Sequence, residues 1–425
     1  MTQVESKKTP RSELLARLEK LQTYMAAADV DGALIVENTD LFYFSGAIQQ
    51  ACLFIPREGS PLFFVRRNPD RARIDSALET IIPVKSFQEI PQVLADYGFG
   101  KIRKLGMELD VLPVNHYFRW RQTLNPDEIV DIWPAIQKVR MIKSPFETGI
   151  IRTAAILADF MVATARHHLR EGITDIELAA IVEGEARKRG HQGLVRTRGF
   201  NQEVYWGHLL SGPEAASLTF VDSPTGGMGL SPASPQGSGF RKISRHEPVI
   251  VDLVGAVGGY IVDQTRTFFI GSIPDILARA YKASIEIDHA LAAAIRPGVL
   301  AGDIFRQAQQ MAADFGLAEH FLGYGTKRAG FCGHGIGLEL DEGPVIAAAE
   351  KTPLAAGMVL ALEPKFSFPD LGVVGVEDTF LVTETGVEKL TGASYEGLVE
   401  SLPLQGIENT GSLPLHGSLP LQGGG

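Results

Sequence analysis

The stretch DLVGAVGGYIVD, from Asp252 to Asp263, sets a carboxylate at each end of a run that is otherwise glycine and apolar residues. Such runs become core strands, and a core strand holds two anions only if something positive compensates them. The flanking segments PVIVDLV and YIVDQTRTFFIG are rich in β-branched and aromatic residues, which predicts a hairpin. A two-residue turn at Val257-Gly258 would put Asp252 directly opposite Asp263, where like charges repel.

A second segment repeats the pattern. GMVLALEPKFSF and GVVGVEDTFLVTETG flank Pro369-Asp370-Leu371, and a loop centred on Asp370 puts Glu363 opposite Glu377. Between the two hairpins, GFCGHGIGLELDEGP carries His334 among glycines that let backbone and ligand come close. Any one of these acids alone is more often a salt-bridge partner or a turn residue, and a lone histidine more often a satisfied core residue. Asp252, Asp263, His334, Glu363 and Glu377 together make a hard, oxygen-rich donor set. That chemistry suits a pair of divalent ions such as manganese, cobalt, iron or zinc better than a single structural zinc. Two ions about 3.5–4 Å apart can hold a bridging hydroxide for hydrolysis.

The rest of the chain sets the frame. A formal net charge of −10 over 425 residues argues against nucleic acid as the main partner, because phosphate binding needs a basic face. Only Cys52 and Cys332 are available, so neither a disulfide framework nor a thiolate cluster is expected. The polar start MTQVESKKTPRSELLARLEK has no apolar signal-peptide core, and no uninterrupted apolar run of about 18 residues offers a membrane span. A cytoplasmic enzyme or binding protein, without a membrane partner, is the expectation. Helix and strand patterns alternate over residues 11–142, predicting an α/β domain. Ser144-Pro145 with Glu147 marks a helix start, Thr174 and Glu177 are spaced as a capping box, and glycine-rich strands dominate after Gly199. Residues 143–396 are therefore expected to form a second domain, giving an α+β chain overall. The thrice-repeated Ser-Leu-Pro-Leu of residues 401–425 predicts a disordered, low-complexity tail.

With these residues in place, the sequence resembles the creatinase/prolidase/aminopeptidase P family. The likeness runs over roughly residues 11–395 and rests on the Asp252–Asp263 spacing, GHGIG, LEP, VEDT and the junction VRMIKSPFETGIIRTAA. It implies a creatinase-type α/β domain followed by a pita-bread catalytic domain, a homodimer, and an N-terminal domain that narrows the active-site mouth. By resemblance, Asp252 chelates one ion, Asp263 and Glu377 bridge both, and His334 and Glu363 complete the second. Glu363 is then the proton shuttle, and the activity an Xaa-Pro dipeptidase or aminopeptidase.

The sequence departs from the family in three places. Position 341, where family peptidases carry a second histidine, is Asp341, which when ionised accepts hydrogen bonds but cannot donate one. Pro235 stands where another histidine is common, and Gly375 where proline-specific members often have arginine. His208, in VYWGHLLSGPEAA beside Tyr205 and Trp206, is a candidate substitute donor, with a structural role as the alternative. Cys332 is expected to be a small buried residue, and His167 and His168 end-of-helix cations. Three functions stay open: a metal-dependent peptidase, a relative hydrolysing or eliminating on a small amine-bearing non-peptide (creatinase-like), and an inactive binding module.

Overall fold

The computed structural model describes residues 8–399, so the repeats of residues 401–425 lie outside the described residues. Six strands make the first sheet: β1 (Gly32–Ile35), β2 (Ala51–Pro56), β3 (Leu62–Val65), β4 (Ile81–Pro83), β5 (Lys104–Met107) and β6 (Glu128–Asp131). Their order is β4-β3-β2-β1-β5-β6, mixed parallel and antiparallel, with the GALI and LFFV runs buried along their full length. Strands buried on both faces read as continuous apolar runs rather than alternating ones, and helices cover them here.

The helix Pro145–His168 opens the second half, and its start is the expected one. Ser144 accepts from the Glu147 amide while the Glu147 side chain accepts from the Ser144 amide, a reciprocal cap with Pro145 in the first turn. Thr174 and Glu177 cap Asp175–Lys188 in the same way. By length and composition Pro145–His168 could cross a membrane, but Ile151, Ala155, Ala158 and Met161 are buried and the helix packs against the strands that carry the first aspartates.

Those strands are β7 (Gly207–Ser211), β8 (Val249–Val257) and β9 (Tyr260–Ile270), joined as neighbours β7-β8-β9. After the helices Asp275–Ala294 and Ala301–Asp314 comes a small hairpin, β10 (Gly323–Tyr324) and β11 (Lys327–Arg328). Then follow β12 (Phe331–Gly335), β13 (Glu342–Ala347), β14 (Val359–Leu362), β15 (Lys365–Phe368), β16 (Gly372–Gly375), β17 (Asp378–Val382) and β18 (Val387–Lys389). Strands β13-β12-β14-β17-β18 form one antiparallel sheet, and β15-β16 extends its central hairpin. An isolated bridge between Thr265 and Glu377 ties this sheet to β9. Curved antiparallel sheets with helices packed outside them are the expected pita-bread arrangement.

The two halves meet across a buried ionic seam. Arg140 reaches Asp40 at 2.7 Å, Glu339 at 2.7 Å and Glu342 at 2.5 Å, and Lys143 reaches Glu342 at 3.1 Å. Arg198, 2.8 Å from Asp40, is the third cation beside these three carboxylates, since buried charges need partners.

Candidate metal centre

The first hairpin corrects one expectation. Its turn is Gly258-Gly259, with φ of +59° and +91°, and Val257 pairs with Tyr260. A tight hairpin of this hand needs positive φ at both central residues, which Gly-Gly adopts freely and Val257 would not. The register therefore shifts by one residue on each strand. Asp252 faces Thr265, and Asp263 faces Val254, so the two aspartates are diagonal neighbours on one face instead of a direct pair. On the other side of Asp252 the ladder partner is His208 of β7. The second hairpin has the expected register: Leu362 pairs with Asp378 and Lys365 with Gly375, so Glu363 and Glu377 fall opposite each other between the two ladders. His334 lies on β12 between Val345 and Ala361, the next strand over from Glu363.

The five acidic and imidazole side chains thus converge in one cleft, all between 1% and 8% exposed. What compensates the acids is a residue the sequence reading passed over, Lys365. Its Nζ donates to Asp252 Oδ2 at 2.8 Å, Glu363 Oε2 at 2.9 Å and Glu377 Oε2 at 2.8 Å. Burial alone would lower the lysine, but the carboxylates of Asp252, Glu363, Glu377 and Asp263 outweigh it and hold its pKa well above the ordinary value. Burial likewise works to raise Asp252, yet Lys365 and His208 bring it below the usual carboxylate range. Gly375 makes room for the lysine: a Cβ at that position would lie 2.6 Å from Lys365 Cγ and 2.8 Å from its Cα. Glycine at 375 and a cation at 365 are thus one packing arrangement.

The other side of the cleft is not compensated in this way. Asp263, His334 and Glu377 each offer a donor atom within 4.8 Å of the others. Glu377 Oε1 is buried with no hydrogen-bond partner, and stands 3.8 Å from His334 Nε2. Burial, then Glu377 and Asp252, push Asp263 well above the ordinary range, and burial is the main cause of Glu377 rising to about 8. His334 Nδ1 lies 3.0 Å from the Gly335 carbonyl, to which it can only donate. In the neutral ring Nε2 is then the lone-pair nitrogen, and it faces Glu377, Glu363 at 3.9 Å and Asp341 at 3.6 Å, whose carboxylates raise the imidazole's pKa against burial. Donors about 2 Å from a common ion sit roughly 3–4 Å apart, so these separations suit a shared cation and not direct hydrogen bonds. The residues fit one divalent ion here.

The remaining candidates divide. Asp341 has a φ of +61° and a half-exposed side chain on the cleft wall. Asp222 lies at the same wall, and its carboxyl is raised by burial and by the nearby Asp341. His208 lines the cleft with its Nδ1 2.9 Å from Thr225 Oγ1, and burial lowers its pKa. Pro235 is exposed, while its neighbour Gln236 reaches into the cleft. Cys332 is fully buried with its thiol pushed up by burial, and His167 and His168 end their helix. Behind the site, Arg266 donates to the carbonyls of Thr265 at 2.7 Å and Glu377 at 2.9 Å and pairs with Asp378 at 2.8 Å, which fixes the strand carrying Glu377.

Comparison with known proteins agrees with this architecture. The creatinase/prolidase N-terminal domain matches residues 17–142, and metallopeptidase family M24 matches residues 149–384, more than half of the chain. An Xaa-Pro dipeptidase of Pyrococcus furiosus is 28% identical over 382 residues, covering 89% of this chain and 99% of the relative. An uncharacterised peptidase of Bacillus subtilis is 26% identical over 393 residues, covering 90% of this chain and 99% of the relative. Among solved structures, the prolidase of Pyrococcus horikoshii superposes with a TM-score of 0.75 at 26% identity, covering 90% of this chain and 99% of that one. Dipeptidase PepE of Mycobacterium ulcerans gives 0.74 at 25% identity, covering 93% and 100%. With its two-part fold, its carboxylate–histidine cleft and these matches, the chain is an enzyme of the peptidase type and belongs to metallopeptidase family M24.

Proposed function

We propose that this chain hydrolyses short peptides with a free amino terminus, Xaa-Pro dipeptides first among them. The observation that carries the reading is the Asp263–His334–Glu377 donor set, with Glu363 and Asp252 beside it and Asp222 and Asp341 on the wall of the same cleft. Names borne by relatives, Xaa-Pro dipeptidase and prolidase, support the substrate class. The donor set, mostly carboxylate with one imidazole, suits manganese first. A divalent ion held there supplies Lewis-acid polarisation of the substrate carbonyl and of water.

The protein's own groups then have distinct tasks. Glu363 Oε2 is held by Lys365, so Oε1 is the atom that takes a proton from the attacking water. As the water oxygen bonds to the carbonyl carbon and the C–N bond breaks, the same proton passes to the leaving nitrogen. Asp341 and Asp222 are the groups we assign to the substrate's ammonium, since carboxylates attract a cation and disfavour a developing oxyanion. His208, which pairs with Asp252 across the ladder and lines the cleft, is the donor we assign to the carbonyl oxygen.

A second reading, a small amine-bearing non-peptide substrate, is favoured by one observation. Asp341 replaces a hydrogen-bond donor with an acceptor beside His334. Turnover of Xaa-Pro dipeptides, matching N-acetylated dipeptides and longer peptides separates the two. Metal-dependent cleavage of free-amine dipeptides, lost on acetylation, is the expected result. No cleavage across the panel by metal-loaded protein would discard the peptidase reading in favour of the second.

A further inference from the structure

We propose that the Lys365 ammonium is a resident cation of this centre, so that the chain binds one divalent ion, between Asp263, His334 and Glu377, and not two. The inference deepens the hydrolase reading and rests on it only for treating those residues as ion ligands.

The geometry argues from donors and acceptors. An ammonium has three N–H donors, and Lys365 directs all three at carboxylates: Asp252, Glu363 and Glu377, at 2.8–2.9 Å. Its side chain is only 2% exposed. Leaving this place would strand three buried carboxylate oxygens and bury an unpaired ammonium elsewhere. The strand opposite holds it there as well, since Gly375 is the ladder partner and lies against the lysine stem. A second dication served by Asp252 and Glu363 would have to share their oxygens with a like charge less than 3 Å from them.

Among these carboxylates, the one buried oxygen left without a partner faces the other side. Glu377 is 1% exposed, and while its Oε2 accepts from Lys365 and from Thr265, its Oε1 has no partner and faces His334. Glu377 is thus a bridge between an ammonium and an ion, one oxygen for each. Asp252, by contrast, is engaged by the lysine. Lys365 has no N–H left for substrate and acts as a positioning residue, setting the charge and the number of ions in the cleft.

The test is metal stoichiometry on the full chain. Protein stripped with a chelator is loaded with excess manganese(II), desalted, and measured by elemental analysis and electron paramagnetic resonance. The expected wild-type result is one manganese per chain with the spectrum of an isolated ion. Lys365→Gly is expected to rise to two per chain, with a spin-coupled pair. Asp252→Asn serves as a second variant if Lys365→Gly does not fold, and is expected to keep the one ion. Two ions, or none, in the wild type overturns the proposal, as does one ion in folded Lys365→Gly or none in folded Asp252→Asn. Peptide cleavage with two ions bound would leave the hydrolase reading intact while removing this one. One ion without cleavage of any peptide would do the reverse.

Discussion

Single side chains decide the chemistry here, and Asp341 is the most exposed to test. It holds a left-handed backbone at φ +61°, a conformation that Asp, Asn and His tolerate better than most residues, so substitutions among them leave the backbone unstrained. In the proposed function, Asp341→Asn removes the charge assigned to a substrate ammonium. KM for free-amine dipeptides should rise about tenfold, equivalent to about 1.4 kcal/mol, with kcat little changed. N-acetylated substrates should show no such shift, and an equal effect on both would mean that Asp341 does not contact the amine. The histidine and carboxylate set of this site was legible in the sequence because each member sits in a short apolar or glycine-rich context where an ionisable group stands out. Lys365 was not. In LALEPKFSF it reads as an ordinary strand residue, and only its approach to Asp252, 113 positions away, reveals its task.

Elements place these residues through register, and here one glycine pair and one glycine mattered. The register of the second hairpin followed from the loop at Asp370, because residues on both arms keep the same pairing from Leu362–Asp378 to Phe368–Gly372. The first hairpin was misread by one residue per strand, although the Gly-Gly signal for a turn with two positive φ values was present at 258–259. Both aspartates still reached the same face, because the diagonal and direct positions across a ladder share it. Gly375 gives the prediction at this scale. Gly375→Ala sets a methyl 2.6 Å from Lys365 Cγ, and such overpacking should cost about 1–3 kcal/mol in denaturant unfolding. Lys365→Gly removes that contact, so the double variant should be more stable than the sum of the single effects by roughly 0.5 kcal/mol or more. Strict additivity would mean that position 375 does not sense the lysine.

Across the whole molecule, the seam at Arg140 joins the two halves to the cleft. The proposed division between residues 142 and 143 runs through it, since Arg140 and Lys143 both hold Glu342. Nothing in the local sequence marked this seam, because its partners Asp40, Arg140 and Glu342 meet only when both halves are folded. Glu342 also accepts from the amides of Leu338 and Glu339, so it ties down the loop that carries Asp341. Burial works to raise Glu342, but Arg140 and Lys143 bring it down to about 2 from 4.5. A carboxylate with a depressed folded-state pKa stabilises the fold above its unfolded value, and that contribution is lost as pH falls from about 4.5 to about 2. It is on the order of 3 kcal/mol. Wild-type unfolding free energy should therefore fall through this acid window. Arg140→Ala leaves Asp40, Glu339 and Glu342 short of a counter-charge, so at neutral pH it should lose about 3–5 kcal/mol and show a shallower acid slope. On the proposed site, the variant should still bind manganese, because Asp263, His334 and Glu377 lie outside the seam, while its KM for free-amine dipeptides should rise as the Asp341 loop loosens. A destabilised variant with unchanged KM would show that the seam holds the halves together without positioning Asp341.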